Sequence, residues 1–315
     1  MKRTHRALWL ALALLGLPGA VAGQGLVREA LEIFPAQTVR LEYSSPAKLR
    51  TLPNYTTLRE RFGGPRLNSL KDSLSQLGVQ ESDVDELVMG WEADKSGLDL
   101  FGLAAGRFDA KAVSDSAAAH GLAPAPVSGK QAYCLGRGES AVCMAVLGES
   151  RGVFGSLSQL ATLLETGEKK ALSLNSVEGV SRLVNEAPTR APIWGVAVGP
   201  AISDWFKGWM PGQENIQMDW GAVFQKVDSL LYSVDVSDKI NLNMKMNCTS
   251  PEAASSLRQL LEGLRLIQQL AWQNQNPSRR NPFDGVVVES HDRRVELTLA
   301  TSYADLVGAQ LLVTP

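Results

Sequence analysis

The chain is 315 residues long, 44% apolar and 20% charged, with a formal net charge of −2. That composition excludes a disordered or fibrous protein, and the length allows one large core or two compact units. A near-neutral chain without a basic stripe also excludes nucleic acid as a natural partner.

The N-terminus reads as an address rather than as fold. Lys2, Arg3 and Arg6 precede an apolar run from Ala7 to Leu17, Pro18 breaks it, and Ala20-Val21-Ala22 offers small residues for cleavage. This is the pattern of a secretory signal peptide over residues 1–22, with a run too short to span a bilayer comfortably. Cleavage near Ala22 removes three basic residues and leaves 28 basic against 33 acidic. No later stretch is long and apolar enough for a transmembrane span. The expected product is soluble and exported, periplasmic or extracellular.

In chain order, Thr38–Tyr43 alternates as a strand, and a loop-helix passage runs from Ser45 to Phe62. Leu67, Leu70, Leu74 and Leu77 line one face of a helix that Gly78 ends. Strands follow at Val84–Trp91 and Leu98–Arg107, then a short Ala-rich helix capped by Asp109. An Ala-Pro loop leads into a hairpin over 131–147, where a two-residue turn at Gly138-Glu139 sets Cys134 opposite Cys143. On a non-hydrogen-bonded pair those cysteines are close enough to bond, so a Cys134–Cys143 disulfide is predicted. Cys248 remains, expected as a small buried side chain.

Ser156 and Gln159 form a capping box for a helix over 157–165, and Asn175 with Glu178 suggests another through about Asn185. Pro192–Val198 is a strand, and 223–230 a helix leading into a strand at 231–236. Ile240, Leu242, Met244 and Met246 alternate with Asn241, Asn243, Lys245 and Asn247, which marks an antiparallel sheet with one solvated face. Pro251 opens a helix to about Gln273, with Ala254, Leu257, Leu261, Leu264, Ile267, Leu270 and Ala271 as its expected inner stripe. A final hairpin joins 286–289 to 295–299.

Both halves thus read β-α-α-β-β-α-β-β-α, an α+β class of largely antiparallel sheet with helices on one face. The expected units are residues 23–188 and 189–315. The strand-to-helix passages Asp94–Gly121 and Asp238–Gly263 both begin Asp-Lys. Together with the connection Gly155-Ser156, Ala171–Asn175 and Pro192–Gly195, they resemble bacterial exported proteins of unknown function that carry tandem α+β repeats. That resemblance implies no agreed activity and supplies no catalytic residue.

Chemistry-bearing patterns are sparse. Gly148-Glu149-Ser150-Arg151-Gly152 matches a nucleophile elbow, and His291-Asp292 could nominally complete a triad. Gly152-Val153-Phe154-Gly155 intervene before the Ser156 cap, and the parallel sheet such an elbow needs is not expected. Glu81, Asp83, Asp85 and Glu86 lack calcium-loop spacing, and His120 and His291 lack neighbouring ligands, so neither metal nor cofactor is expected. The aromatic stretch Ala201–Met210 places Ile202, Trp205, Phe206, Trp209 and Met210 on one helical face. That face is either core or a patch for an apolar ligand. The expectation is a non-enzymatic binding or structural module with a protein, peptide or lipid partner, contacting it through Trp205, Phe206, Trp209 and Met210. A serine hydrolase using Ser150 and a chaperone-like holder of apolar segments are the alternatives.

Overall fold

The computed structural model describes residues 24–52, 54–62, 64–94, 97–136, 141–209, 220–275 and 280–308. Helix α1 (Gln24–Ile33) precedes β1 (Thr38–Ser44), and α2 (Pro46–Leu49), α3 (Tyr55–Phe62) and α4 (Gly64–Gln76) lead to the hairpin β2 (Val84–Asp94) and β3 (Gly97–Gly106). Then come α5 (Ala110–Ala119), β4 (Ala125–Val127), β5 (Lys130–Leu135), β6 (Val142–Gly148), β7 (Arg151–Gly155), α6 (Leu157–Gly167) and α7 (Glu178–Glu186). The remainder is β8 (Ile193–Val198), α8 (Pro200–Trp209), α9 (Trp220–Phe224), β9 (Val227–Val236), β10 (Ile240–Cys248), α10 (Pro251–Gln275), β11 (Val286–His291), β12 (Arg294–Thr301) and α11 (Tyr303–Gly308).

Local chemistry explains the boundaries. The Asp109 carboxylate accepts from the backbone N–H groups of Lys111 and Ala112 and starts α5. Ser156 and Gln159 close the expected capping box on α6. Gly78 stops α4 at φ +79°, a conformation a side chain disfavours. α7 instead begins from Val177, without a side-chain cap, because Leu174–Ser176 forms its own 3₁₀ turn.

The twelve strands among the described residues join one antiparallel sheet, in the order β11-β12-β10-β9-β8-β1-β2-β3-β7-β6-β5-β4. Outward from the central β1–β8 pair the two sides follow the same path. One side runs β1, β2, β3, β7, β6, and the other runs β8, β9, β10, β12, β11. The first side then adds β5 and β4. The expected boundary after residue 188 falls between α7 and β8, where the sheet runs on without a break.

The central pair is joined on both faces. On one, the Tyr43 and Trp194 rings, directly opposite each other, stack with centroids 5.7 Å apart. On the other, Arg40 and Glu42 form an ion pair with side chains only 14% and 13% exposed, and the Tyr232 hydroxyl donates to Glu42. The Arg40 guanidinium lies 4.1 Å from the centroid of Trp91, a cation–π contact. Burial alone would weaken the Arg40 guanidinium's hold on its proton, but Glu42 and Tyr232 outweigh it and raise its pKa. Burial and then the Glu42 charge push the Tyr232 phenol well above its ordinary range, against Arg40. Both groups therefore keep their protons.

Alternation along the strands divides the core. Leu103 and Ala105 face one way, into a cluster that α1, α6 and α7 complete with Leu26, Phe34, Leu160, Leu163, Val180 and Leu183. Ala104 faces the other way, with Leu77, Val113, Ala117, Tyr133 and Met144 beneath α4 and α5. Beyond the seam that second face continues under α8, α9 and α10, through Trp205, Phe224, Met244, Met246, Leu257 and Val295. The helices therefore cover both faces of the first half and of β8, where α7 packs on Trp194 and Val196, but one face of the second half's outer strands, as expected there. On the uncovered face of the second half, Asn243, Lys245, Thr298 and Val287 are exposed.

Candidate functional site

The tryptophan helix is core where its side chains are described. Trp205 is 2% and Phe206 5% exposed. Trp205 packs on Tyr232 at 4.7 Å, and Phe206 stacks on Phe224 at 4.0 Å between centroids. The contact surface expected at Trp205 and Phe206 is thus corrected to core, because α8 lays that face on the sheet. The side chain of Trp209 and all of Met210 lie outside the described residues.

Of the six large apolar side chains exposed among the described residues, three lie together on α10. Its 25 residues span about 37 Å, and its inner side buries Ala254, Leu257, Leu261 and Trp272. Ile267 and Leu270, expected on that stripe, instead face outward at 56% and 61% exposure, beside Leu266 at 51%. The geometry requires it. Leu266 and Leu270 each lie nine residues past an inner-face leucine, two and a half turns, which is the opposite side of the helix. Gln259, Gln273 and Asn274 are exposed around this ridge and give it a polar rim.

A shallow cleft of about 380 Å³ is lined by Arg50, Leu52, Tyr55, Thr56, Arg59 and Glu81. Its charges are engaged with one another. Tyr55 and Arg59 donate to the two Glu81 oxygens. Arg50 reaches the backbone carbonyls of Glu81 and Val84 at 2.7 and 2.8 Å and the Asp85 carboxylate at 3.4 Å. Burial and then Glu81 push the Tyr55 phenol upward. This arrangement fastens α2 and α3 to the start of β2. The acidic run beside it divides among separate partners, since Asp83 accepts from the Gln80 N–H and Glu86 from the Tyr43 hydroxyl. Among the described residues no three metal-ligating side chains converge.

Ser150 lies in the turn between β6 and β7, whereas His291 ends β11 and Asp292 starts the turn into β12. Seven strand spacings, roughly 34 Å, separate β7 from β12. The Ser150–His291–Asp292 triad is therefore not assembled, and the hydrolase alternative loses its base.

Cys134 and Cys143 are directly opposite and joined by a disulfide, in the expected register, while the turn residues Gly138 and Glu139 lie outside the described residues. Cys248 is buried, and burial pushes its thiol up, away from the reactive thiolate.

No family model and no curated protein matches the chain. Among solved structures it is similar to TP0453 in crystal forms III and I, with TM-scores of 0.50 and 0.51 at 8% identity. Those likenesses cover 90% and 91% of this chain and 97% and 98% of that one. They show the fold alone, an α+β architecture over nearly the full length. No described helix is long and apolar enough to cross a membrane.

Proposed function

We propose that this chain is an exported, non-catalytic binding protein whose α10 ridge holds an apolar helical segment of a partner polypeptide. The carrying observation is the ridge itself. Leu266, Ile267 and Leu270 stand more than half exposed, side by side, on a helix whose opposite face buries Ala254, Leu257, Leu261 and Trp272. Adjacent apolar side chains with a polar rim mark contact surfaces, and a stripe at helical spacing suits a second helix. The basic and apolar residues before Ala22 support export, and the Cys134–Cys143 disulfide is in keeping with an oxidising compartment. The reading as a holder of apolar segments thus moves from the tryptophan helix to α10.

The test is fluorescence anisotropy with a labelled, leucine-striped amphipathic peptide. Saturable binding is expected, lost in a Leu266→Ser/Ile267→Ser/Leu270→Ser variant whose melting temperature is unchanged. Equal binding by the two proteins, or none by either, would refute the reading.

A further inference from the structure

The two edges of the sheet are built differently. β4 is three residues long and carries Pro126, which lacks a donor, so that edge is blunted. β11 reads Val286-Val287-Val288-Glu289-Ser290-His291, without proline and with three β-branched residues in succession. It pairs with β12 on one side and, among the described residues, with no strand on the other.

Which backbone groups face that free side follows from the register. Asp292 and Arg293 form a two-residue turn, closed by His291 opposite Arg294. A closing pair of this kind exchanges both of its backbone bonds, and the pattern alternates from there. Glu289 and Val287 therefore bond to β12, whereas Val288 and Ser290 direct both their N–H and C=O groups outward and Val286 only its C=O, because its N–H donates to the Phe283 carbonyl.

We propose that a second copy of this chain pairs its β11 antiparallel with this one, about a twofold axis through Val288. In that register Val286 meets Ser290 of the second copy and Val288 meets itself, so both Val288 groups, the Val286 C=O and the Ser290 N–H find partners. The buried face carrying Val286 and Val288 continues across the junction. On the open face each Val287 sits opposite the other copy's Glu289, so no like charges oppose. Sliding the register by two residues toward the turn would set Glu289 against Glu289, which is unfavourable. The strand is thus self-complementary in one register and self-repelling in the next. A symmetric homodimer with a continuous sheet is the consequence. The α10 ridge points away from the sheet, so this pairing stands or falls independently of peptide binding.

Sedimentation equilibrium over a concentration series tests it. The wild-type protein is expected to dimerise. Val287→Glu, placing two acidic pairs across the junction, should weaken the dimer about tenfold, while Val287→Lys should preserve or tighten it. Val288→Pro deletes an outward N–H that the monomer does not use, and should give a folded monomer. Val287 is half exposed, so its variants leave the fold intact and remain decisive if the proline variant does not fold. A wild-type monomer at all concentrations, or equal dimerisation by Val287→Glu, would overturn the proposal. So would binding of a free Val-Val-Val-Glu-Ser peptide to a protein that stays monomeric, which would assign the edge to peptide addition.

Discussion

The two halves of the sheet share a strand order and differ in what covers them. Outward from β1 and β8 the same path recurs, yet the first half is packed on both faces and the second, beyond β8, on one. The additions to the first half account for this. Beneath its extra face lie α1 before β1 and α6 after β7, whose leucines turn that face into core. On the corresponding face of β10 the residues are Asn241, Asn243, Lys245 and Asn247, which need water. Equal topology therefore does not mean equal burial; the helices before and after the strands set it.

The largest effect is expected where the halves meet. Arg40→Leu leaves Glu42 buried without its cation and should cost about 3–5 kcal/mol, read by urea denaturation. A loss below about 1 kcal/mol would show that Glu42 finds water and that the seam is not sealed. Next comes the contrast between faces. Leu103→Ala, in the doubly covered half, should cost about 2–5 kcal/mol, whereas Asn243→Ala on the open face should stay within about 0.5 kcal/mol. Similar values for the two would erase the difference between the halves. Replacing Cys134 and Cys143 together by serine should cost roughly 2–3 kcal/mol by releasing a short loop in the unfolded chain. Thermal melting of oxidised and reduced protein checks this, and only the wild type should respond to reductant.

The smallest effect is a pH dependence at the start of α10. Hydrogen bonds from its own backbone N–H and from Ser250 hold the Glu252 carboxyl below the ordinary glutamate range. A lowered folded pKa contributes stability above the unfolded pKa, and that contribution is lost as pH falls through the folded one. Glu252→Gln should flatten that part of the acid melting curve slightly, by lowering stability a little at neutral pH and leaving it unchanged in acid.

Much of the scaffold was legible because local signals and tertiary burial agree. The alternation from Ile240 to Met246, the caps at Asp109 and Ser156, and the cysteine pairing all appear as read. β7 escaped because Arg151–Gly155 is five residues bounded by glycines and resembles a turn; only pairing with β3 and β6 makes it a strand. β9 begins at Val227, four residues before the expected start, since pairing with β8 and β10 overrides the local helical pattern. α1 was missed although Leu26, Val27, Ala30, Leu31 and Phe34 carry a helical period just past the cleavage pattern. The seam was not legible at all, because Tyr232 and Glu42 are 190 residues apart. The ridge was within reach. Counting half-turns from Leu257 and Leu261 places Leu266 and Leu270 outside, a signal masked by running the inner stripe on through Ile267 and Leu270.

The central claim, that partners engage α10 rather than the tryptophan helix, is tested most directly by hydrogen exchange with and without the leucine-striped peptide. Slower exchange is expected over residues 263–274 of α10, with α8 unchanged from 201 to 206. Protection confined to α8, or no protection on α10 at saturating peptide, would contradict the account.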